Sequence, residues 1–187
     1  MSASRFWKDL LLLVLLMFLC AAPLVAPAGA QRLGEGQETS PSIPAWGPKG
    51  GSWQVQTVDT AGSVGLYTSL ALDTAGYPHI SYYDASNYDL EYAYKDSAGW
   101  HFQTVTSAGD AGAYSSLGLA ANGYPGVAYY LGSPDYDLYY AYKDGSGWHT
   151  ELADNGGTGR VGQYASLALD ATGYPRISYY DATAGDL

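Results

Sequence analysis

The sequence predicts an all-β fold of short antiparallel strands in repeated units, and three observations predict it. Apolar and polar residues alternate in runs such as SLALD, HISYYD, LEYAYKD and WHFQTV, and a period of two marks a half-buried strand. Gly, Pro, Asp and Asn bound these runs, as tight turns require. The whole order then recurs: Trp53, Trp100 and Trp148 stand 47 and 48 residues apart, and Tyr77-Pro78, Tyr124-Pro125 and Tyr174-Pro175 stand 47 and 50 apart. From residue 51 onward no stretch holds apolar residues at helical spacing for long enough to build a helix.

The elements follow in chain order. Residues 1–30 read as a secretory signal peptide: Arg5 and Lys8, an apolar run over 10–19, then small residues ending Ala28-Gly29-Ala30. That run is too short to span a bilayer, which takes about 20 residues. Cys20 follows Leu19 rather than a small residue, so cleavage after Ala30 is preferred to lipidation of the cysteine. Residues 31–50, with Pro41, Pro44 and Pro48, read as an extended linker. Residues 51–187 are the repeats. Secretion or display at the cell surface, with no membrane span after cleavage, is the expected localisation.

Each unit holds four strands, represented by 69–73 (inner), 79–83 (second), 90–94 (third) and 100–105 (outer). Asp73-Thr74-Ala75-Gly76 and Asp96-Ser97-Ala98-Gly99 are tight-turn sequences, with an Asp acceptor and a Gly for positive φ. Four strands in about 48 residues is the size of a β-propeller blade. Expected blade segments are 53–58, an outer strand alone, then 69–105, 116–153 and an unfinished 166–187, so the chain reads as an incomplete propeller of about 2.5–3 blades. Three explanations stay open: a fragment of a larger propeller protein, self-assembly that closes the ring, or an open stub with exposed edges. In a meander the two short turns lie on one face, and the longer, more variable loops lie on the other, where binding usually sits.

Composition removes several functions. The chain has 187 residues, a net charge of −10 and only 8 Lys+Arg against 18 Asp+Glu. It therefore lacks the basic footprint of a nucleic-acid binder. Cleavage after Ala30 would remove Arg5, Lys8, Asp9 and the lone Cys20, leaving a charge of −11 and no thiol. Abundant Tyr (19 residues) and a low charged fraction (14%) speak against disorder.

Asp96…Gly99-Trp100, Asp144…Gly147-Trp148 and the Asp-x-x-Gly-Tyr-Pro turn resemble the Asp-box (BNR) blades of sialidase-like propellers and of bacterial secreted tandem-repeat propellers. The resemblance covers residues 51–187 and departs in spacing, with Tyr94 and Tyr142 where that motif has Ser. It implies a propeller, and a sialidase-like glycoside hydrolase fragment as one reading of function. The family's three-arginine clamp does not carry over, because the repeats hold only Arg160 and Arg176. A pair of facing carboxylates would have to come from Glu91 and Glu151, the only Glu in the repeats. His79 gives way to Gly126 and Arg176 in the other units, and His101 and His149 sit beside Trp on the outer strand. No catalytic residues are assigned and no enzyme is expected.

Most tyrosines repeat as interblade packing would. Tyr67, Tyr114 and Tyr164 stand apart, just before the inner strand on the variable rim, and are the leading ligand contacts. Asp84, Asn87 and Asp181, in the loops between second and third strands, complete the candidate site. No cofactor is expected. Calcium is the one ion that the acidic loops leave open, against which Leu131 replaces Asp84 in the second unit. The reading is a secreted or cell-surface binding module for a glycan or cell-surface polymer, with a structural or adhesion array as the alternative.

Overall fold

The computed structural model describes residues 53–187; the expected signal peptide (1–30) and linker (31–50) lie outside the described residues. Ten strands follow one another: β1 (Val64–Leu72), β2 (Pro78–Asp84), β3 (Asp89–Asp96), β4 (Gly99–Thr106), β5 (Ala111–Leu119), β6 (Pro125–Leu131), β7 (Asp137–Asp144), β8 (Gly147–Asp154), β9 (Val161–Leu169) and β10 (Pro175–Asp181). They form antiparallel meanders in the order β1-β2-β3-β4, β5-β6-β7-β8 and β9-β10. We call these blades 1, 2 and 3. Inner strands β1, β5 and β9 stand side by side, and the sheets do not close. The fold is an incomplete β-propeller.

The turns form as the residues dictate. The Asp73 carboxylate accepts the amides of Ala75 and Tyr77, and Asp170 accepts those of Thr172 and Tyr174. Asp96 and Asp144 serve the third-to-outer turns in the same way.

Residues 53–58, expected as an outer strand, form no strand. A strand exists through its hydrogen-bonding neighbour, and among the described residues no third strand stands beside this segment. Asp59 nonetheless keeps its place in the repeat. It accepts the Tyr82 hydroxyl (2.7 Å), as Asp154 at the end of β8 accepts that of Tyr179.

The inner strands also reach further toward the N-terminus than expected, starting at Val64, Ala111 and Val161. Two bulges interrupt each of them, one at Gly65, Gly112 or Gly162 and one at Tyr67, Tyr114 or Tyr164. A bulge inserts a residue and breaks strict alternation, which hid these segments from a reading by period.

Blades join through a repeated set of contacts. Leu90 and Leu138, at the start of the third strand, are fully buried against the next blade's inner strand, at Gly112 and Gly162. Ser81 meets Ser115 with Oγ atoms 2.9 Å apart, and the Ser69 and Ser116 hydroxyls accept the Leu117 and Leu167 amides. Further out, Trp148 packs edge-on to Tyr92 and donates its Nε1–H to Gln103. The core, with Leu90, Val105, Leu117, Val127 and Tyr129, therefore lies largely between blades 1 and 2.

Candidate functional site

Tyr67, Tyr114 and Tyr164 do not precede the inner strand as expected; they are its bulged residues, held at φ 51°, 53° and 55°. The left-handed region costs a residue with a β-carbon roughly 1–2 kcal/mol, and here three tyrosines adopt it where glycine would do so freely. The bulge turns each side chain out of the strand's alternation. The three rings come together, with centroids 4.7 Å apart for Tyr67–Tyr114 and 4.6 Å for Tyr114–Tyr164. Each also leans on a tyrosine of its own second strand, Tyr83, Tyr130 or Tyr180. The result is an aromatic arc across three blades.

The Tyr114 hydroxyl lies among those of Tyr67 and Tyr164, and burial followed by these neighbours pushes its pKa up to about 12. It stays protonated near neutrality and can donate a hydrogen bond. Tyr67 and Tyr164 are exposed.

Beside the arc, the Tyr83 hydroxyl donates to Asp110 at 2.6 Å. Asp110 lines a small cleft of about 300 Å³ with Asn87, Tyr88 and Gly109. Tyr88 is held at φ 67° and its counterpart Tyr136 at φ 64°, while glycine (Gly185) fills the same place in blade 3. The Arg160 guanidinium stacks over the Tyr136 ring at 4.1 Å. The sequence reading does not single out Tyr88, Tyr136 or Asp110, and it weighs Arg160 only as a member of an arginine clamp. The missed signal was an aromatic at the glycine position of a repeated turn.

The acidic loop residues have other work. Asp84 is buried; its carboxylate accepts the amides of Ser86 and Asn87 and the Asn87 side chain. Asp181 accepts the amides of Thr183 and Ala184. Both are turn acceptors, and Asp181 lies at the far blade, away from Asp84 and Asn87. Among the described residues no group of three or more His, Cys, Asp or Glu is gathered to hold a metal.

Of the groups weighed for catalysis, His79 and Glu91 are also engaged. His79 is buried on β2, with Nδ1 against the Tyr92 hydroxyl and Nε2 3.8 Å from Asp73. Glu91 accepts the Thr104 hydroxyl, and burial raises its pKa. Glu151 lies with Tyr140, Tyr142 and Tyr174 along an open cleft of about 490 Å³ between blades 2 and 3. Among the described residues no helix is long and apolar enough to cross a membrane.

No protein-family model matches the chain, and no curated protein sequence matches it. Among solved structures the chain is similar to a fucose lectin from Kordia zhangzhouensis in complex with methyl-fucoside. The two are 22% identical with a TM-score of 0.44, over 64% of this chain and 87% of that one.

Proposed function

We propose that this chain is a secreted carbohydrate-binding module that holds its ligand on the arc of Tyr67, Tyr114 and Tyr164. One observation carries the reading: three tyrosines occupy a backbone conformation that disfavours them, side by side and partly open to solvent. Strain repeated at equivalent positions persists where it serves a site. An aromatic face covers the C–H surface of a sugar while its hydroxyl bonds the sugar's own. Asn87, Tyr88 and Asp110 add an amide, a ring and a carboxylate beside the arc.

The module binds and does not turn over its ligand: the face offers hydroxyls, an amide, rings and a single carboxylate, that of Asp110, which already accepts the Tyr83 hydroxyl. Kinship with Asp-box propellers rests on the Asp96…Gly99-Trp100 and Asp144…Gly147-Trp148 turns and on the Asp-x-x-Gly-Tyr-Pro turn.

The test is Tyr164→Gly in the full chain, on a glycan array and by thermal melting. Glycine suits φ 55° and the ring is exposed, so the melting temperature holds or rises. Glycan binding falls roughly tenfold, the scale of one aromatic contact. A folded wild-type chain with no glycan signal sinks the proposal, and a lowered melting temperature with binding unchanged points to the structural array.

A further inference from the structure

Both junctions inside the chain are built by one rule. The inner strand of the following blade is received by the inner strand, the second strand and the start of the third strand of the blade before it. A leucine sits on a glycine, Leu90 on Gly112 and Leu138 on Gly162, at distances that leave no room for a β-carbon. A backbone bond lies beside it, from Ala111 N–H to Tyr88 O and from Val161 N–H to Tyr136 O, both 3.0 Å. A serine hydroxyl accepts an amide across the joint, Ser69 from Leu117 and Ser116 from Leu167. Small side chains face each other, Ser81 and Ser115, then Ala128 and Ala165 in the same places.

The two ends of the arc hold the unpaired halves of this pattern. On blade 1, among the described residues, nothing lies within 4 Å of where a Gly65 β-carbon would stand, although Gly65 is the counterpart of Gly112 and Gly162. Around it is a pocket of about 210 Å³ lined by Val58, Val64, Thr68, Ile80 and Tyr82; about 150 Å³ already admits a benzene ring. Leu70, counterpart of Leu117, is 63% exposed beside it. Blade 3 carries the complement. Leu187, counterpart of the buried Leu90 and Leu138, is 94% exposed. Gly185, Ser166 and Ser178 hold the places of Tyr88, Ser69 and Ser81.

We propose that copies of this chain associate head to tail, with the face of blade 3 receiving β1 of a second copy. Leu187 enters the Gly65 pocket, Ser178 meets Thr68, Ser166 accepts the Leu70 amide, and Gly185 O accepts from Val64 N–H. The described residues of blade 3 form two strands and hold every part that receives an inner strand. Different surfaces meet, so the association is heterologous, and copies form a closed ring or an open filament according to the angle. The tyrosine arc becomes continuous across the joint, Tyr164 of one copy reaching Tyr67 of the next. The contact does not depend on what the arc binds.

The experiment uses two full-length chains, each with Cys20→Ser, one carrying Thr68→Cys and the other Ser178→Cys. Ser81 and Ser115 hydroxyls lie 2.9 Å apart, so the equivalent pair falls within reach of a disulfide. Both positions are exposed and the variants keep the wild-type melting temperature. Mild oxidation of the mixture gives a covalent dimer of the two chains, and each chain alone does not. Adding Leu187→Asp to the Ser178→Cys chain slows this cross-link roughly tenfold or more, the scale of losing one buried leucine from an interface. No mixed dimer, equal cross-linking of either chain alone, or a rate indifferent to Leu187→Asp overturns the proposal.

Discussion

Among the described residues blade 2 has a neighbour on each side, whereas blades 1 and 3 each have one, and nearly identical residues behave differently for that reason. Leu117 of blade 2 is 7% exposed, and Leu70, at the same place in blade 1, is open to solvent. Trp148 Nε1–H reaches Gln103 across a junction, while Trp100 Nε1 in blade 1 is buried with no partner among the described residues. Ala128 is buried in blade 2 and its counterpart Ser178 is exposed in blade 3. The comparison teaches that burial here belongs to the joint between blades more than to any one blade's sequence. Such a fold is stabilised by nearest-neighbour interfaces added to intrinsic blade stability.

The largest test of that comparison takes one leucine in its two settings. Leu138→Ala removes a side chain that is 2% exposed at the blade 2–blade 3 joint. It should destabilise the chain by about 2–5 kcal/mol, the transfer loss plus the cavity left behind. Leu187→Ala in dilute chain should change stability by less than about 0.5 kcal/mol, as at other exposed positions. Urea unfolding followed by tryptophan fluorescence reads both. Equal losses would mean that blades are stabilised individually and not by their joints.

The next test isolates the close approach at a joint. Gly162 and Gly65 have similar left-handed φ values, 99° and 91°, but a β-carbon at Gly162 would lie 2.8 Å from Leu138 Cβ and 2.9 Å from its Cα, and at Gly65 it meets nothing. Alanine therefore suffers the same backbone strain at both, roughly 1–2 kcal/mol. At Gly162 the overlap adds about 1–3 kcal/mol more, since the Leu138 backbone cannot swing aside. The difference between the two variants in urea midpoint is the measured quantity. A difference near zero would mean that blade 3 shifts freely on blade 2.

Much of this architecture was legible in the sequence, and the unread parts share a cause. Strand order, turn positions and blade size follow from Asp-x-x-Gly turns, Tyr-Pro strand entries and a repeat near 48 residues. The bulged starts of the inner strands were not legible, because Gly65 and Tyr67 break the period that identifies a strand. Residues 53–58 carry a strand-like sequence but form none, since pairing requires a neighbour that sequence pattern alone does not reveal. The ligand candidates divide in the same way. Tyr67, Tyr114 and Tyr164 could be picked out as repeated tyrosines, but their left-handed backbone and mutual contact exist only in three dimensions. Asp84 and Asp181 stand in the sequence as candidate ligand contacts, and in the structure both accept turn amides, a role that Asx chemistry allows wherever two amides follow.

The smallest expected effect separates the blades by a proton. His79 in blade 1 is replaced by Gly126 in blade 2, where the Tyr140 hydroxyl occupies the space a β-carbon would need, and by exposed Arg176 in blade 3. Burial lowers the His79 pKa below its ordinary 6.5, outweighing the opposing pull of Asp73. Its other close neighbours are the rings of Tyr92 and Tyr94. A histidine whose folded pKa is depressed takes up its proton more readily when unfolded. Its contribution is therefore present in full above pH 6.5 and is lost as pH falls below that value toward the folded pKa. One group sets a ceiling of about 1.4 kcal/mol per pH unit, and partial exposure keeps the observed slope well under it. Denaturant unfolding at pH 7.0, 6.0 and 5.5 should show wild-type stability falling by some tenths of a kcal/mol per unit, about 0.5 at most. His79→Gln keeps polarity without titrating and should remove that slope. A slope that survives the substitution would place the titrating group elsewhere and remove this distinction between blade 1 and its neighbours.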